Sequence, residues 1–442
     1  MALGFFRRLF GGSEPAGVHA DPFQREAPPP AAVLVPEPVP PRPLVARDEI
    51  IDAQTRICGY RYRVSDQGAA PAQVVQALDE AGMGRMAARR LALLPMDGER
   101  WRGASCRALT GPGTHYLFAS LAAAEPALLA EIKAAGGRSA IHVTEVNLAL
   151  RARLGDFALA WVDCTAFPLE AFEKLLRELR RVAPALPIAV DGVASWPERR
   201  LCDALGVSYC LGGFVASFDE AQAQEKLSES RMVLLEMLNL LRQDGELDDL
   251  AELARRDPAV SVQLVSMANS PAMGLDRQIT GVEQAMLILG RAQLYRWLAL
   301  AMFRVGGSRG KDESLLELAL ARGRFLELAF APLLPPSQCD ELFLVGLLSV
   351  FDALLGQPMA RILASMHLPD AVQTLLLHNE GAYVRPFLLV TAVERGRLEQ
   401  MERLAAQLEL PLEQVQACSQ AARDWADAAM GFAAGAPAGP GL

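Results

Sequence analysis

Asp257-Pro258, Ala268-Asn269-Ser270-Pro271-Ala272-Met273-Gly274-Leu275 and Thr280-Gly281-Val282-Glu283 punctuate a single helical stretch, and their spacing decides how the second half of this chain folds. Asp257 has the side chain of an N-cap, and Pro258 stands at the first helical position, where a missing N–H does no harm. Asn269 and Pro271 then close that helix. Thr280 to Glu283 has the capping-box pattern and leads into the apolar run Ala285 to Leu289. Gly290 stops this run, and a further helix begins around Leu294, Trp297, Leu298 and Ala301.

Everything from Met232, Leu235, Leu238 and Leu241 to about residue 425 carries the same helical period, interrupted by the polar loop Gly306-Gly307-Ser308-Arg309-Gly310-Lys311. That loop lacks the spacing and the strand-to-helix context of a phosphate loop, and it reads as a linker. The methionines of this half, Met273, Met286, Met302, Met359 and Met366, read as core filling. Residues 44–220 are different. Beta-like runs near Ile57 to Val64, His115 to Ser120, Ser139 to Thr144, Phe157 to Asp163, Ile188 to Asp191 and Tyr209 to Leu211 alternate with helical patterns at Ala72 to Leu94, Leu121 to Ala135, Leu169 to Val182 and Pro197 to Leu205. Such alternation predicts a mostly parallel sheet covered by helices, closed or nearly closed as a barrel. An eight-unit barrel normally needs about 250 residues, so at least one unit is expected to be trimmed.

The expected organisation is therefore a Pro-rich tail over 1–43, an α/β domain over 44–220, an all-helical domain over 221–430 and an Ala-, Gly- and Pro-rich tail over 431–442. A chain of 442 residues with 51% hydrophobic and 21% charged residues has material for two cores. Its formal charge of -9 offers no diffuse basic field, which argues against nucleic acid as a partner. Seven cysteines without a CxxC pair read as buried thiols in a reducing cytoplasm and supply no zinc site. No run approaches the roughly 20 apolar residues of a membrane span. Residues 1–10, with Phe5, Phe6 and Phe10 around Arg7 and Arg8, could make at most a weak contact with an anionic membrane surface.

The stretch from Asp257 to Trp297 resembles the HDOD domain, a helical relative of the HD-type phosphohydrolases found in bacterial signalling proteins. Asp257, Pro258, Asn269, Ser270, Pro271, Gly274 and Gly290 carry that resemblance, as structural residues. In front of it, Cys58-Gly59-Tyr60-Arg61-Tyr62-Arg63 resembles the first strand of the EAL family, barrel phosphodiesterases that linearise cyclic di-GMP. The order of the later segments agrees: Phe118-Ala119-Ser120, Ile141-His142-Val143-Thr144-Glu145, Trp161-Val162-Asp163, Val190-Asp191-Gly192-Val193 and Leu211-Gly212-Gly213-Phe214. The whole chain is similar to signal transduction proteins that join a degenerate EAL domain to an HDOD domain.

The EAL resemblance implies a site for two divalent cations, built from carboxylates and an Asn that activate water. Here the residues matching that set are Arg61 for the motif Glu, Phe118 or a neighbour for the Asn, His142 for a metal-binding Glu and Trp161 for a Lys, so no metal or cofactor is expected. Three readings of the acids at the motif positions stay open. Glu145, Asp163 and Asp191 could hold one Mg²⁺; Glu145 and Asp163 could pair with Arg61 or Arg63; or Arg61 could hold a cyclic dinucleotide without cleaving it. The ligand-binding candidates at the barrel mouth are thus Arg61, His142, Glu145, Asp163 and Asp191. In the helical half the resemblance places Gly346-Leu347-Leu348-Ser349-Val350-Phe351-Asp352 where HD enzymes have their His-Asp pair; His367 and His378 have no ligand spacing, and His378 reads as a helix end. The expectation is a non-enzymatic bacterial regulator in the cytoplasm, working through other signalling proteins and a homodimer, with cyclic di-GMP binding as the alternative and residual phosphodiesterase activity behind it.

Overall fold

The computed structural model describes residues 43–65, 70–103, 106–224, 226–269, 279–304 and 310–434. The tail readings for 1–42 and 435–442, the membrane-contact reading for 1–10, and Ser270, Pro271, Met273, Gly274 and the loop residues 305–309 lie outside them.

Eight strands close into a barrel in sequence order: β1 (Leu44–Ile51), β2 (Ile57–Ser65), β3 (Leu91–Pro95), β4 (Thr114–Phe118), β5 (Arg138–His142), β6 (Leu159–Asp163), β7 (Ile188–Asp191) and β8 (Tyr209–Cys210). β1 runs antiparallel to both of its neighbours, whereas β2 to β8 are parallel to one another. The shortening expected from the length falls on the connections and not on the strands. β1 and β2 are joined by a tight turn in which Asp52 Oδ1 accepts from the backbone N–H groups of Gln54 and Arg56, and no crossover helix is needed. The helical pattern expected over Ala72 to Leu94 divides into Pro71–Glu80, Met83–Ala87 and then β3, so one expected helix contains a strand.

Elsewhere the period holds. Leu169–Val182 is one amphipathic helix that buries Phe172, Leu175, Leu176 and Leu179 against the barrel, each contributing about 1.5–3 kcal/mol. Inside the barrel, alternation sends Leu159, Trp161, Ala140, Ala189, Leu93, Ile50 and Leu211 inward as a small core of their own. The alanines at 140 and 189 leave room for the indole of Trp161.

The helical half runs from Glu229–Arg242 to Leu412–Ala434. Asp257 caps Pro258–Ala268 as its sequence implies, with Oδ1 accepting from Ala259 and Val260 N–H at 2.7 and 3.2 Å. Gly290 breaks Val282–Arg304 at φ 69, ψ 163, a backbone region that only glycine enters freely. Met286, Met302 and Met366 are buried, as core filling requires. The helices Gly310–Phe330 and Pro336–Leu348 touch backbone to backbone, because a Cβ on Gly346 would lie 2.3 Å from the Gly323 Cα. No described helix is long and apolar enough to cross a membrane.

The two halves share one wall. Their buried side chains form a continuous cluster running from Leu44 to Ala426. The outer face of β1 and β2 carries Arg47, Glu49, Tyr60 and Tyr62, and helices of the second half cover it. Ser314 on Gly310–Phe330 accepts from Ile57 N–H (3.0 Å) and donates to Thr55 O (2.7 Å), while the Tyr60 hydroxyl donates to Glu317.

Candidate functional site

The C-terminal ends of the parallel strands form one mouth of the barrel, and Arg61 occupies its centre. Antiparallel register places Asp48 of β1 opposite Arg61 of β2, so both point inward at the same level. Arg61 Nε and Nη2 donate to Asp48 Oδ2 at 2.8 and 2.6 Å, and Nη1 donates to Asp191 Oδ2 at 2.5 Å across the barrel. The guanidinium carbon lies over the Trp161 ring, 4.8 Å from its centre. Arg61 is 9% exposed and Trp161 3%. Arg63 Nε also donates to Asp48 Oδ2 (2.9 Å), and its Nη2 donates to the Arg395 carbonyl of the helical half (2.8 Å). Burial pushes the Asp48 carboxyl above the usual range, against the pull of Arg61 and Arg63.

This arrangement answers the pairing question left open by the sequence and corrects part of it. The carboxylates that hold Arg61 are Asp48 and Asp191. Asp163 turns back on its own loop, with Oδ1 accepting from Thr165 N–H (2.9 Å) and from the Thr165 hydroxyl (2.6 Å). Glu145 is exposed and accepts from the Asn147 side chain at 2.8 Å, away from both arginines because it lies beyond the end of β5 in the loop before Leu148–Arg153. His142 Nε2 is enclosed without a hydrogen-bond partner among the described residues. Of the five mouth candidates, only Arg61 and Asp191 are in direct contact. Among the described residues, no three His, Cys, Asp or Glu side chains converge as a metal-binding group.

In the helical half, Asp352 Oδ1 accepts from Ala353 N–H at the start of Phe351–Leu355 (2.8 Å), and burial raises its pKa; it acts as a helix-start acid. His378 ends Asp370–His378, followed by Asn379 in the left-handed region. His367 lies against the Gln243 amide at 3.1 Å. Asn269 does more than stop its helix. Its side-chain oxygen accepts from Ile279 N–H (2.6 Å) and its amide donates to Ile279 O (2.6 Å) and Val265 O (3.0 Å). One side chain thus ties position 269 to position 279 as a strand partner would.

Residues 227–378 match the family model of the HDOD domain. The helical half contains an HDOD domain. Upstream of this HDOD domain, the strands that carry the motif residues close into a barrel in sequence order. Among curated proteins, the uncharacterized protein YuxH of Bacillus subtilis is 25% identical over 193 residues, spanning 43% of this chain and 46% of its own length. The cyclic di-GMP phosphodiesterase CdgJ of Vibrio cholerae is 25% identical over 205 residues, spanning 46% of this chain and 47% of its own. The chain thus matches about half the length of these relatives. Similar solved structures include the EAL domain of Xanthomonas citri FimX in complex with c-diGMP, at 15% identity, 40% of this chain, 87% of that chain and a TM-score of 0.32. The Bacillus subtilis YkuI protein, with an EAL domain in complex with c-di-GMP and calcium, is at 14% identity, 39% of this chain, 53% of that chain and a TM-score of 0.30. At such identity the chemistry of this barrel has to be read from its own residues.

Two residues at the mouth were not visible in the sequence. Asp48 lies in a run of three charges, Arg47-Asp48-Glu49, that resembles a solvated turn; only the register of β1 on β2 turns its middle member inward. Arg395 comes from outside the barrel altogether. It follows the helix Val384–Glu394, and its guanidinium lies against Gly213 in the loop after β8, where a Cβ would approach it to 2.7 Å.

Proposed function

We propose that this chain is a non-catalytic signalling protein, in which an EAL-like barrel and an HDOD domain form one body that acts by binding other proteins. The observation that carries the reading is Arg61. A guanidinium at the centre of the mouth, held by Asp48 and Asp191, places a fixed positive charge where a phosphodiesterase of the EAL kind would gather divalent cations. It also consumes the carboxylates that could ligate them. A metal ion brought to this point would meet a buried cation at close range, a repulsion that grows as the dielectric falls. The HDOD domain offers no replacement, since Asp352 sits in the first turn of a short helix with its carboxylate on the Ala353 N–H, and neither His367 nor His378 has a carboxylate or a second imidazole as partner among the described residues.

Binding of cyclic di-GMP without cleavage is the second reading, favoured by Arg63, whose side chain is 38% exposed at the rim beside Arg395. Against it, Arg61 and Trp161 already stack on each other, so a purine would have to displace one of them.

The test is a phosphodiesterase assay on the full chain with cyclic di-GMP and either Mg²⁺ or Mn²⁺, together with calorimetric titration of the dinucleotide. No linear product is expected. Metal-dependent turnover that disappears in Asp163→Asn and Asp191→Asn would refute the reading, and tight binding without turnover would replace it with the sensor.

A further inference from the structure

At the opposite end of the barrel a cavity of about 390 Å³ opens among the N-terminal ends of the parallel strands, with Leu91, His115, Arg138 and Tyr209 in its lining. This size is typical of sites for small molecules. Three arginines, Arg89, Arg90 and Arg138, line it, and among the described residues no Asp or Glu does. That concentration stands out on a chain with 52 acidic and 43 basic residues. Arg89 and Arg138 are exposed and have no carboxylate partner among the described residues, so both forks are available for an anion. A guanidinium matches phosphate oxygens in pairs, which a chloride ion cannot exploit.

The remaining lining adds a direction. His115 is buried, and its Nδ1–H donates to the Gly113 carbonyl at 3.0 Å, which leaves Nε2 with the lone pair. Burial holds the imidazole neutral by lowering its pKa. A neutral Nε2 is an acceptor, suited to a sugar hydroxyl and unsuited to a bare phosphate oxygen. The site thus asks for a molecule with a phosphate at one end and a hydroxyl at the other.

Arg90 links this cavity to the helical half. Its Nη1 donates to both carboxylate oxygens of Glu317, at 3.1 and 3.2 Å, and Glu317 also receives the Tyr60 hydroxyl. Glu317 belongs to Gly310–Phe330, the helix that covers β1 and β2. A phosphate drawing on Arg90 competes with Glu317, and by linkage Glu317 weakens the phosphate's hold.

We propose that this cavity binds a phosphorylated sugar or nucleoside monophosphate, and that its occupancy is transmitted to the helical half through Arg90 and Glu317. The inference does not depend on whether the other mouth is catalytically silent.

The full chain is titrated calorimetrically at low salt with ribose 5-phosphate, guanosine monophosphate and inorganic phosphate. One of the two hydroxyl-bearing probes is expected to bind below millimolar Kd and more tightly than inorganic phosphate. The double variant Arg89→Ser/Arg138→Ser should weaken it at least about tenfold for each arginine removed, as expected for charge-assisted hydrogen bonds. Arg177→Ser, at an exposed helix position outside the cavity lining, should leave it unchanged as a control for net charge. Glu317→Gln should tighten it by roughly three- to tenfold if the linkage holds. Failure of all three probes, or undiminished binding in the double variant, overturns the site. Equal affinity for inorganic phosphate overturns the sugar assignment, and no response to Glu317→Gln overturns the transmission.

Discussion

Replacing Arg61 by Met keeps the length of the side chain and removes its charge, leaving Asp48 and Asp191 facing each other across the mouth. Removing one partner from a buried ion pair costs about 3–5 kcal/mol, most of it from the charge left behind. Two contacts soften that here. Arg63 Nε remains on Asp48 Oδ2 at 2.9 Å, and Gly192 N–H remains on Asp191 Oδ1 at 3.0 Å. The expected loss is therefore about 2–3 kcal/mol, or roughly 30- to 150-fold in the folding constant. Urea unfolding of the full chain, followed by tryptophan fluorescence, measures it. The pH dependence gives a second handle. Burial already raises the Asp48 carboxyl, and without Arg61 it rises further. A raised carboxyl contributes stability that is present at low pH and disappears as pH climbs through the folded value. The deficit of Arg61→Met should thus be larger at pH 8 than at pH 5. A deficit below about 1 kcal/mol, or one that is equal at both pH values, would refute the view that this charge cluster fills the mouth.

Glu49 lines a cavity of about 30 Å³ between the barrel wall and the helical half. Burial, then repulsion from Glu394 and Glu317, pushes its carboxyl up to about 8, with Arg322 and Arg423 opposing. The wild-type chain should lose stability relative to Glu49→Gln as pH rises from about 4.5 to 8, by on the order of 3 kcal/mol after allowance for water in the cavity; parallel pH-stability curves would exclude this. Asn269→Ala removes two hydrogen bonds to Ile279 at about 0.5–1.5 kcal/mol each, so amide exchange at Ile279 should accelerate about tenfold or more, with little change in the barrel strands.

The sequence reported the fold where local rules dominate. Leu169–Val182 carries an unbroken apolar stripe, and Asp257-Pro258 has a cap that needs no distant partner, so both were readable residue by residue. β3 was not, because the link Ala88-Arg89-Arg90 from the second short helix to Leu91–Pro95 holds no glycine or proline to mark the change. β1 was hidden for a different reason. Arg47 and Glu49 point outward, yet they are enclosed by helices more than 260 residues away in sequence; a strand with charges on both faces has no period-2 signature. At the mouth, motif order named Arg61 and Asp191, which the fold brings into contact, whereas the choice of Asp48 over Glu145 as partner depended on strand register, which pattern alone does not encode.

The wall formed by β1 and β2 has a practical corollary for dissection of this protein. In a parallel barrel each strand pair is ordinarily sheltered by the crossover that joins it, but a hairpin brings no such shelter, and here helices from the far end of the chain provide it. Severing the polypeptide near residue 220 would strip Tyr60 and Tyr62 of their cover and present a naked, aromatic sheet flank, the kind of surface that drives aggregation. Fragments chosen by family boundaries would be sticky orphans, and only the uncut polypeptide should display the behaviour of either portion.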